Sequence, residues 1–156
     1  MNREAMESAE SLREHLVNYS SSIAYKNPTT VYNAMLHPLS NYTIKREVWY
    51  QGESNVFRAS EYMSILSALV KNWRTTFSNN CLDFFIVELP LYNYAAVQCE
   101  PGKLNSAEIL RKAQTSLAMK DEHCHLISTS GLVNPENIPP TNKRALGERI
   151  VIYRLR

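Results

Sequence analysis

The sequence has few glycines, an odd number of cysteines and no long apolar run, and each scarcity excludes a class of protein. Only four of its 156 residues are glycine, which is few for a fold built mainly from loops. The three cysteines lack C-x-x-C spacing, so we interpret them as small buried thiols rather than as a disulfide framework or a metal site. No apolar stretch approaches the roughly 18 residues of a membrane span. We therefore expect no membrane-spanning segment.

The sequence also lacks a large excess of charge of either sign. The chain has 17 basic and 15 acidic residues and a net charge of +2, which gives no reason to expect nucleic acid or an anionic membrane as a partner. Its hydrophobic content of 44% and charged content of 21% are ordinary for a soluble globular domain. The length fits one domain with a real core, covering residues 27–156, and residues 1–26 are predicted to form a polar helical extension.

The cellular compartment stays unassigned by the sequence. Residues 1–14 are charged and helix-prone and do not resemble a signal peptide. Two Asn-x-Ser/Thr acceptors, at Asn18 and Asn41, would nevertheless be glycosylated if the chain entered a secretory route.

Strand-like and helix-like stretches alternate after residue 43. A helix opened by Ser60 shows an apolar stripe from Tyr62 to Phe77, and two further helices are predicted after Asn105 and Thr141. Strands separated by such helices pair in parallel, so an α/β fold with a three-layer α/β/α sandwich is expected. Only three strands are visible, fewer than the mean of about five or six, so the sheet is expected to be incomplete. They cover residues 44–50, 84–89 and 125–129.

The stretch 47–55, Glu-Val-Trp-Tyr-Gln-Gly-Glu-Ser-Asn, is the best candidate for a functional site. A β-prone run ends at Gly52 and is followed by a carboxylate, a hydroxyl and an amide, as at the carboxyl end of a strand in an α/β sheet. The Gly52 backbone amide and the Asn55 side-chain amide could both point at a developing oxyanion. Alternatively, Ser54 and Asn55 could simply hydrogen-bond local backbone in an ordinary turn, and spacing alone favours the turn.

This loop also resembles a known family. Residues 49–55, Trp-Tyr-Gln-Gly-Glu-Ser-Asn, resemble the signature of sialate O-acetylesterases, which are SGNH hydrolases, and the similarity extends over about residues 27–153. The resemblance implies an SGNH hydrolase or flavodoxin-like sandwich with a parallel sheet. The supporting stretches are residues 32–39, 73–74, 85–89, 109–114 and 142–149.

The chemistry that the resemblance implies is removal of acetyl esters from sialic acids or related sugars, without a metal or organic cofactor. In this family a serine attacks the ester, a histidine activates the serine, and Gly and Asn hold the oxyanion. By position, Gly52 and Asn55 match the oxyanion contributors. The resemblance further implies contacts with the O-acetylated sugar from Gln51, Glu53 and Gln114.

Two departures from the family pattern leave the catalytic set incomplete. The nucleophile belongs to a Gly-Gln-Ser-Asn-Met segment, and no such segment precedes Trp49 in this sequence. Residues 135–140 read Pro-Glu-Asn-Ile-Pro-Pro where the family carries Ile-His-Pro, so Pro139 occupies the slot of the base histidine and Asn137 that of an Asp. Proline has no titratable group. We therefore expect a weakly active or inactive esterase, of undetermined oligomeric state.

Other residues do not replace the missing pair. Ser54 has flanks that match the oxyanion loop rather than the nucleophile motif. His123 and His125 flank Cys124, and strand alternation would place both imidazoles on one face and the thiol on the other.

Two rival functions remain open at this stage. The chain could be a non-catalytic carbohydrate-binding or interaction module, with Trp49, Tyr50, Tyr92 and Tyr94 stacking on sugar rings, although burial is the default for aromatic residues. It could also be a truncated gene product with an exposed sheet edge.

Overall fold

The computed structural model describes residues 29–92, 94, 106–132 and 143–154. The chain divides into two compact units, Met1–Tyr42 and Thr43–Arg156. The predicted boundary at residues 26 and 27 lies outside the described residues and stays a prediction, as does glycosylation at Asn18.

The described part of the first unit is a short run of irregular helix. A π-helical turn, Tyr32–Leu36, is followed by a 3₁₀ turn, His37–Leu39. Pro38 therefore lies inside a helical turn, because proline is tolerated in the first turn, where its missing N–H has no partner. The second glycosylation acceptor, Asn41, is exposed, and its modification stays a prediction.

The second unit contains a parallel sheet of three strands within the described ranges, in the order β1-β2-β3. The strands are β1 (Arg46–Trp49), β2 (Asp83–Val87) and β3 (Cys124–Ile127). Val48 lies opposite Phe85, and Phe85 lies opposite His125. The parallel pairing predicted from the sequence is confirmed. It brings the carboxyl ends of all three strands to one edge of the sheet.

Helices connect and cover these strands: α1 (Tyr62–Thr76), α2 (Ser106–Lys120) and α3 (Lys143–Arg154). A 3₁₀ segment, Glu53–Glu61, joins β1 to α1. The predicted start of the first helix at Ser60 is wrong by two residues, because the 3₁₀ segment, kinked at Arg58 (φ −130°, ψ 36°), continues to Glu61 and α1 begins at Tyr62. No helix of the described ranges is long and apolar enough to cross a membrane.

The side chains of β2 alternate between two separate cores. Phe84 and Ile86 are fully buried in a cluster with residues of α1 and α2, whereas Phe85 and Val87 pack with Leu146 of α3. A central parallel strand buried on both faces has this continuous apolar sequence. Because helices cover both faces, the architecture is the predicted three-layer α/β/α sandwich.

An ion pair ties α1 to the end of α2. Arg74 Nη1 lies 2.6 Å from Asp121 Oδ2, and Arg74 Nη2 lies 3.0 Å from Asp121 Oδ1. Arg74 also donates to the backbone oxygen of Leu82, just before β2. Hydrogen bonds from the guanidinium hold the pKa of Asp121 below its ordinary value of 3.8.

Asp121→Asn is expected to lower the free energy of unfolding at pH 7 by about 1.5–3 kcal/mol, because a charge-assisted pair is lost. Since the folded-state pKa is depressed, this stabilisation is complete above the unfolded-state pKa and is lost as the pH falls through the folded-state pKa. Urea denaturation should therefore show a difference between wild type and variant at pH 7 that narrows below about pH 4. Glu108→Gln, which breaks an exposed pair with Lys112, serves as control and should leave stability unchanged. If the difference in stability between wild type and Asp121→Asn were as large at pH 3 as at pH 7, the stabilising role of the Asp121 carboxylate would be contradicted.

Candidate active site

The loop after β1 is fixed by close packing at Gly52. A Cβ atom at this position would lie 3.1 Å from Leu89 Cδ1 and 3.2 Å from Leu110 Cδ2. These contacts are tighter than ordinary van der Waals contacts, so glycine lets the loop approach the end of β2 and the side of α2. The Asn55 N–H donates to the Gly52 carbonyl at 2.9 Å and begins the 3₁₀ segment. The predicted oxyanion pair is thus held on one turn.

The side chain of Asn55 is oriented by its neighbour on the loop. Gln51 Nε2 donates to Asn55 Oδ1 at 2.5 Å, which engages the acceptor end of the asparagine amide. An amide has two donor hydrogens besides its acceptor oxygen. This hydrogen bond therefore leaves the NH₂ end of Asn55 as the end that can donate to an external oxygen.

Gln51 is in turn held by Tyr62, the first residue of α1. The Tyr62 hydroxyl donates to the Gln51 backbone oxygen at 2.9 Å and accepts from Trp49 Nε1 at 3.3 Å. Burial raises the pKa of Tyr62, so the hydroxyl remains a donor at neutral pH. The sequence placed Tyr62 only in a core stripe and missed this contact. The one available signal was a hydroxyl within an otherwise apolar stripe.

Gln114 lies behind the loop and is fully buried. Its Nε2 donates to the Val87 carbonyl at 3.2 Å, and its Oε1 accepts from the Leu89 N–H at 2.8 Å. Gln114 therefore fixes the carboxyl end of β2, including the leucine against which Gly52 packs. Its predicted contact with substrate stays a prediction.

Glu53 introduces a negative charge near two buried tyrosines. The pKa of Tyr94 is raised, first by burial and then by the Glu53 carboxylate, which also raises the pKa of Tyr62. Tyr94 is only 5% exposed and packs edge-on against Tyr92, with ring centroids 5.2 Å apart. The idea that Tyr94 stacks on a sugar is wrong, because its ring is inside the core.

A cation beside the loop comes from the start of α3. Lys143 Nζ donates to the Tyr50 hydroxyl at 2.9 Å and lies 4.1 Å from the Tyr50 ring centroid. Such a contact is a cation–π interaction. Sequence reasoning could not find it, because the two residues are 93 positions apart.

The two histidines around Cys124 lie at the other end of the sheet. His123 Nδ1 is 3.1 Å and His125 Nε2 is 3.5 Å from Asp83 Oδ1, at the amino end of β2. Cys124 points to the opposite face, where burial raises its pKa to about 12. The predicted division of imidazoles and thiol between faces is confirmed. Neither histidine is placed to serve the loop after β1, which follows the opposite end of the sheet.

The described residues contain no group of three or more His, Cys, Asp or Glu side chains that could hold a metal ion. Pro139 and Asn137 lie outside the described residues, so the absence of the base histidine stays a prediction.

Comparison with known proteins identifies the relatives of this site. The model of the family described as "Carbohydrate esterase, sialic acid-specific acetylesterase" matches residues 17–151. The chain belongs to this family. The match includes the loop 49–55, helices α1 and α2, and strands β1, β2 and β3. The family resemblance drawn from the sequence is confirmed.

Individual relatives agree with this assignment. Sialate O-acetylesterase of Rattus norvegicus is 44% identical over 143 residues, which cover 80% of this chain and 26% of the rat protein. The Homo sapiens protein of the same name is 42% identical over 81 residues, covering 47% of this chain and 16% of its own. A crystal structure of a carbohydrate acetylesterase from Xanthomonas citri matches with a TM-score of 0.71 and 31% identity. It is aligned over 80% of this chain and 28% of its own. The chain thus spans about a quarter or less of the curated relatives and slightly more of the bacterial one.

Proposed function

We propose that this chain carries the oxyanion-binding half of a sialate O-acetylesterase site. Its substrate class would be an O-acetylated sialic acid or a related sugar. Hydrolysis by the 156-residue chain alone would be weak or absent. The orientation of the Asn55 amide is the observation that carries this proposal.

The support is a pair of successive hydrogen bonds that ends at Asn55. Tyr62 holds the Gln51 backbone, Gln51 holds Asn55 Oδ1, and the Asn55 NH₂ group is left to donate. Donors fixed before the reaction stabilise a developing oxyanion without any reorganisation at the moment of bond formation. The Gly52 N–H belongs to the same turn and would supply the second donor.

The proposed inactivity follows from the groups that must create the oxyanion. Ester hydrolysis by this route needs a hydroxyl nucleophile and a base that removes its proton. Gly52 is the first glycine of the sequence, so residues 1–51 contain no Gly-x-Ser-Asn segment. Pro139 stands in the position of the base. Two donors alone can stabilise the charge but cannot generate it.

An acetyl-ester assay on the purified chain tests the proposal. With 4-nitrophenyl acetate and with an O-acetylated sialic acid, the wild-type chain is expected to release acetate no faster than the Asn55→Ala variant does. A sharp thermal transition in the same preparation would show that the chain is folded, and would count against a non-functional truncated product. Robust turnover that disappears in Asn55→Ala would overturn the proposed inactivity.

A further inference from the structure

A concave site lies between β3 and α3, within the second unit. Its volume is about 260 Å³, slightly below the range of about 300–1,000 Å³ that is usual for drug-sized ligands. A ligand for this pocket would therefore be small. The walls are formed by Leu126, Ile127, Ser128, Arg149, Ile152 and Tyr153.

One wall of the pocket carries a positive charge. Arg149 Nη1 donates to the Ser128 backbone oxygen at 2.7 Å, which fixes the guanidinium while using one of its five N–H donors. No ion pair within the described ranges involves Arg149. The Ser128 hydroxyl donates to Glu88 Oε2 at 2.9 Å, and the Thr129 N–H donates to the same oxygen at 3.3 Å. The pocket thus presents a guanidinium whose counter-ion is not supplied by the described residues.

The rest of the pocket is mostly apolar, and its aromatic ring, that of Tyr153, is held in place. Tyr153 lies 5.4 Å from the ring of His125 and 6.3 Å from that of Phe85, so packing limits its motion. Nevertheless 43% of Tyr153 and 56% of Ile152 remain exposed. An ordered aromatic ring beside an aliphatic side chain is a suitable surface for a sugar ring or a short alkyl chain.

We propose that this pocket binds a small monocarboxylate, with the carboxylate on Arg149 and the body of the ligand against Tyr153 and Ile152. The planar fork of arginine matches a carboxylate through two parallel hydrogen bonds. A doubly charged phosphate fits less well, because the Glu88 carboxylate lies one hydrogen bond from the pocket wall at Ser128 and repels negative charge. The carboxylate can belong to an acidic sugar or to a short fatty acid.

The pocket and the oxyanion loop use different residues at the ends of different strands. The loop follows β1, whereas Ser128 follows β3, and β2 lies between them. The proposal therefore stands or falls independently of the proposed esterase function.

Isothermal titration of the 156-residue chain tests this pocket with N-acetylneuraminic acid and octanoate as probes. The carboxamides of the two acids are their uncharged counterparts. At least one acid should bind about tenfold more tightly than its uncharged counterpart. The acid that does so shows whether the pocket takes an acidic sugar or a short fatty acid. Arg149→Met keeps the apolar stem but removes the charge, and should raise the Kd about tenfold. Glu88→Gln removes the nearby negative charge and should lower the Kd about threefold. Arg144→Met, at an exposed arginine of the same helix that does not line the pocket, should leave the Kd unchanged.

Three results would overturn the proposal. One is equal affinity for each acid and its uncharged counterpart. Another is an unchanged Kd in Arg149→Met with a wild-type melting temperature. The third is loss of binding in Asn55→Ala with retention in Arg149→Met, which would assign the ligand to the oxyanion loop. If Arg149→Met does not fold, the Glu88→Gln titration decides, and an unchanged or raised Kd rejects the site.

Discussion

Pro139→His is expected to raise acetyl-ester hydrolysis about 100- to 10,000-fold in a chimera with the rat relative. In this chimera the present chain replaces the matching 143-residue stretch of the rat protein, and the rest of the rat sequence is expected to supply the serine nucleophile that the family resemblance implies. The gain equals the usual contribution of general acid–base catalysis, because the proline offers no group that can accept the proton of a nucleophile. The measurement is kcat/KM for an O-acetylated sialic acid in the two chimeras.

The same background tests the oxyanion donors. Asn55→Ala in the Pro139→His chimera should lower kcat about 100- to 1,000-fold, which is the usual cost of removing one oxyanion donor. Ser54→Ala is the matched control, because Ser54 is an exposed neighbour on the same loop. It should leave kcat unchanged. Equal losses in both variants would contradict the role of Asn55, and a loss in Ser54→Ala alone would make Ser54 the nucleophile.

Gln114→Leu is expected to lower the free energy of unfolding of the isolated chain by about 2–6 kcal/mol. The substitution keeps the approximate volume but leaves two buried backbone groups, Val87 C=O and Leu89 N–H, without the partners they have now. Each unsatisfied buried group costs about 1–3 kcal/mol. Urea denaturation measures the loss, and Met119→Ala, at an exposed position of the same helix, is the control and should change stability little.

The family resemblance implies a different role for Gln114, namely a direct contact with substrate. In the Pro139→His chimera, that role would appear as a raised KM with little loss of stability. A large loss of stability, with a fall in kcat because Leu89 no longer supports Gly52, would instead make Gln114 a positioning residue. The two outcomes are separated by comparing the unfolding curve with the KM of the same variant.

The fold followed from local patterns that tertiary contacts did not alter. The continuous apolar run of β2 predicted burial on both faces, and the alternation around Cys124 predicted which side chains share a face. Both patterns reflect the period of two along a strand, which each residue carries in its own backbone geometry. The predicted boundary at Ser60 was two residues early, because the 3₁₀ segment is kinked at Arg58 and continues to Glu61 before α1 begins.

Some features of the candidate site could likewise be predicted from the sequence, and others could not. The sequence by itself determined the family, and it predicted Gly52 and Asn55 as the oxyanion donors and Pro139 at the place of the base. It did so because these are properties of residues that are close together in the chain or that match a family motif.

Only the tertiary structure decided how the loop is held. Leu110 of α2 packs closely over Gly52, Tyr62 of α1 holds Gln51, and Lys143 of α3 lies over the ring of Tyr50. These contacts join elements that are distant in sequence and meet only when the sandwich has assembled. No local period or motif encodes them, because each depends on where packing of the two cores places a whole helix. The functional groups of the loop therefore come from nine consecutive residues, whereas contacts with three helices determine their geometry.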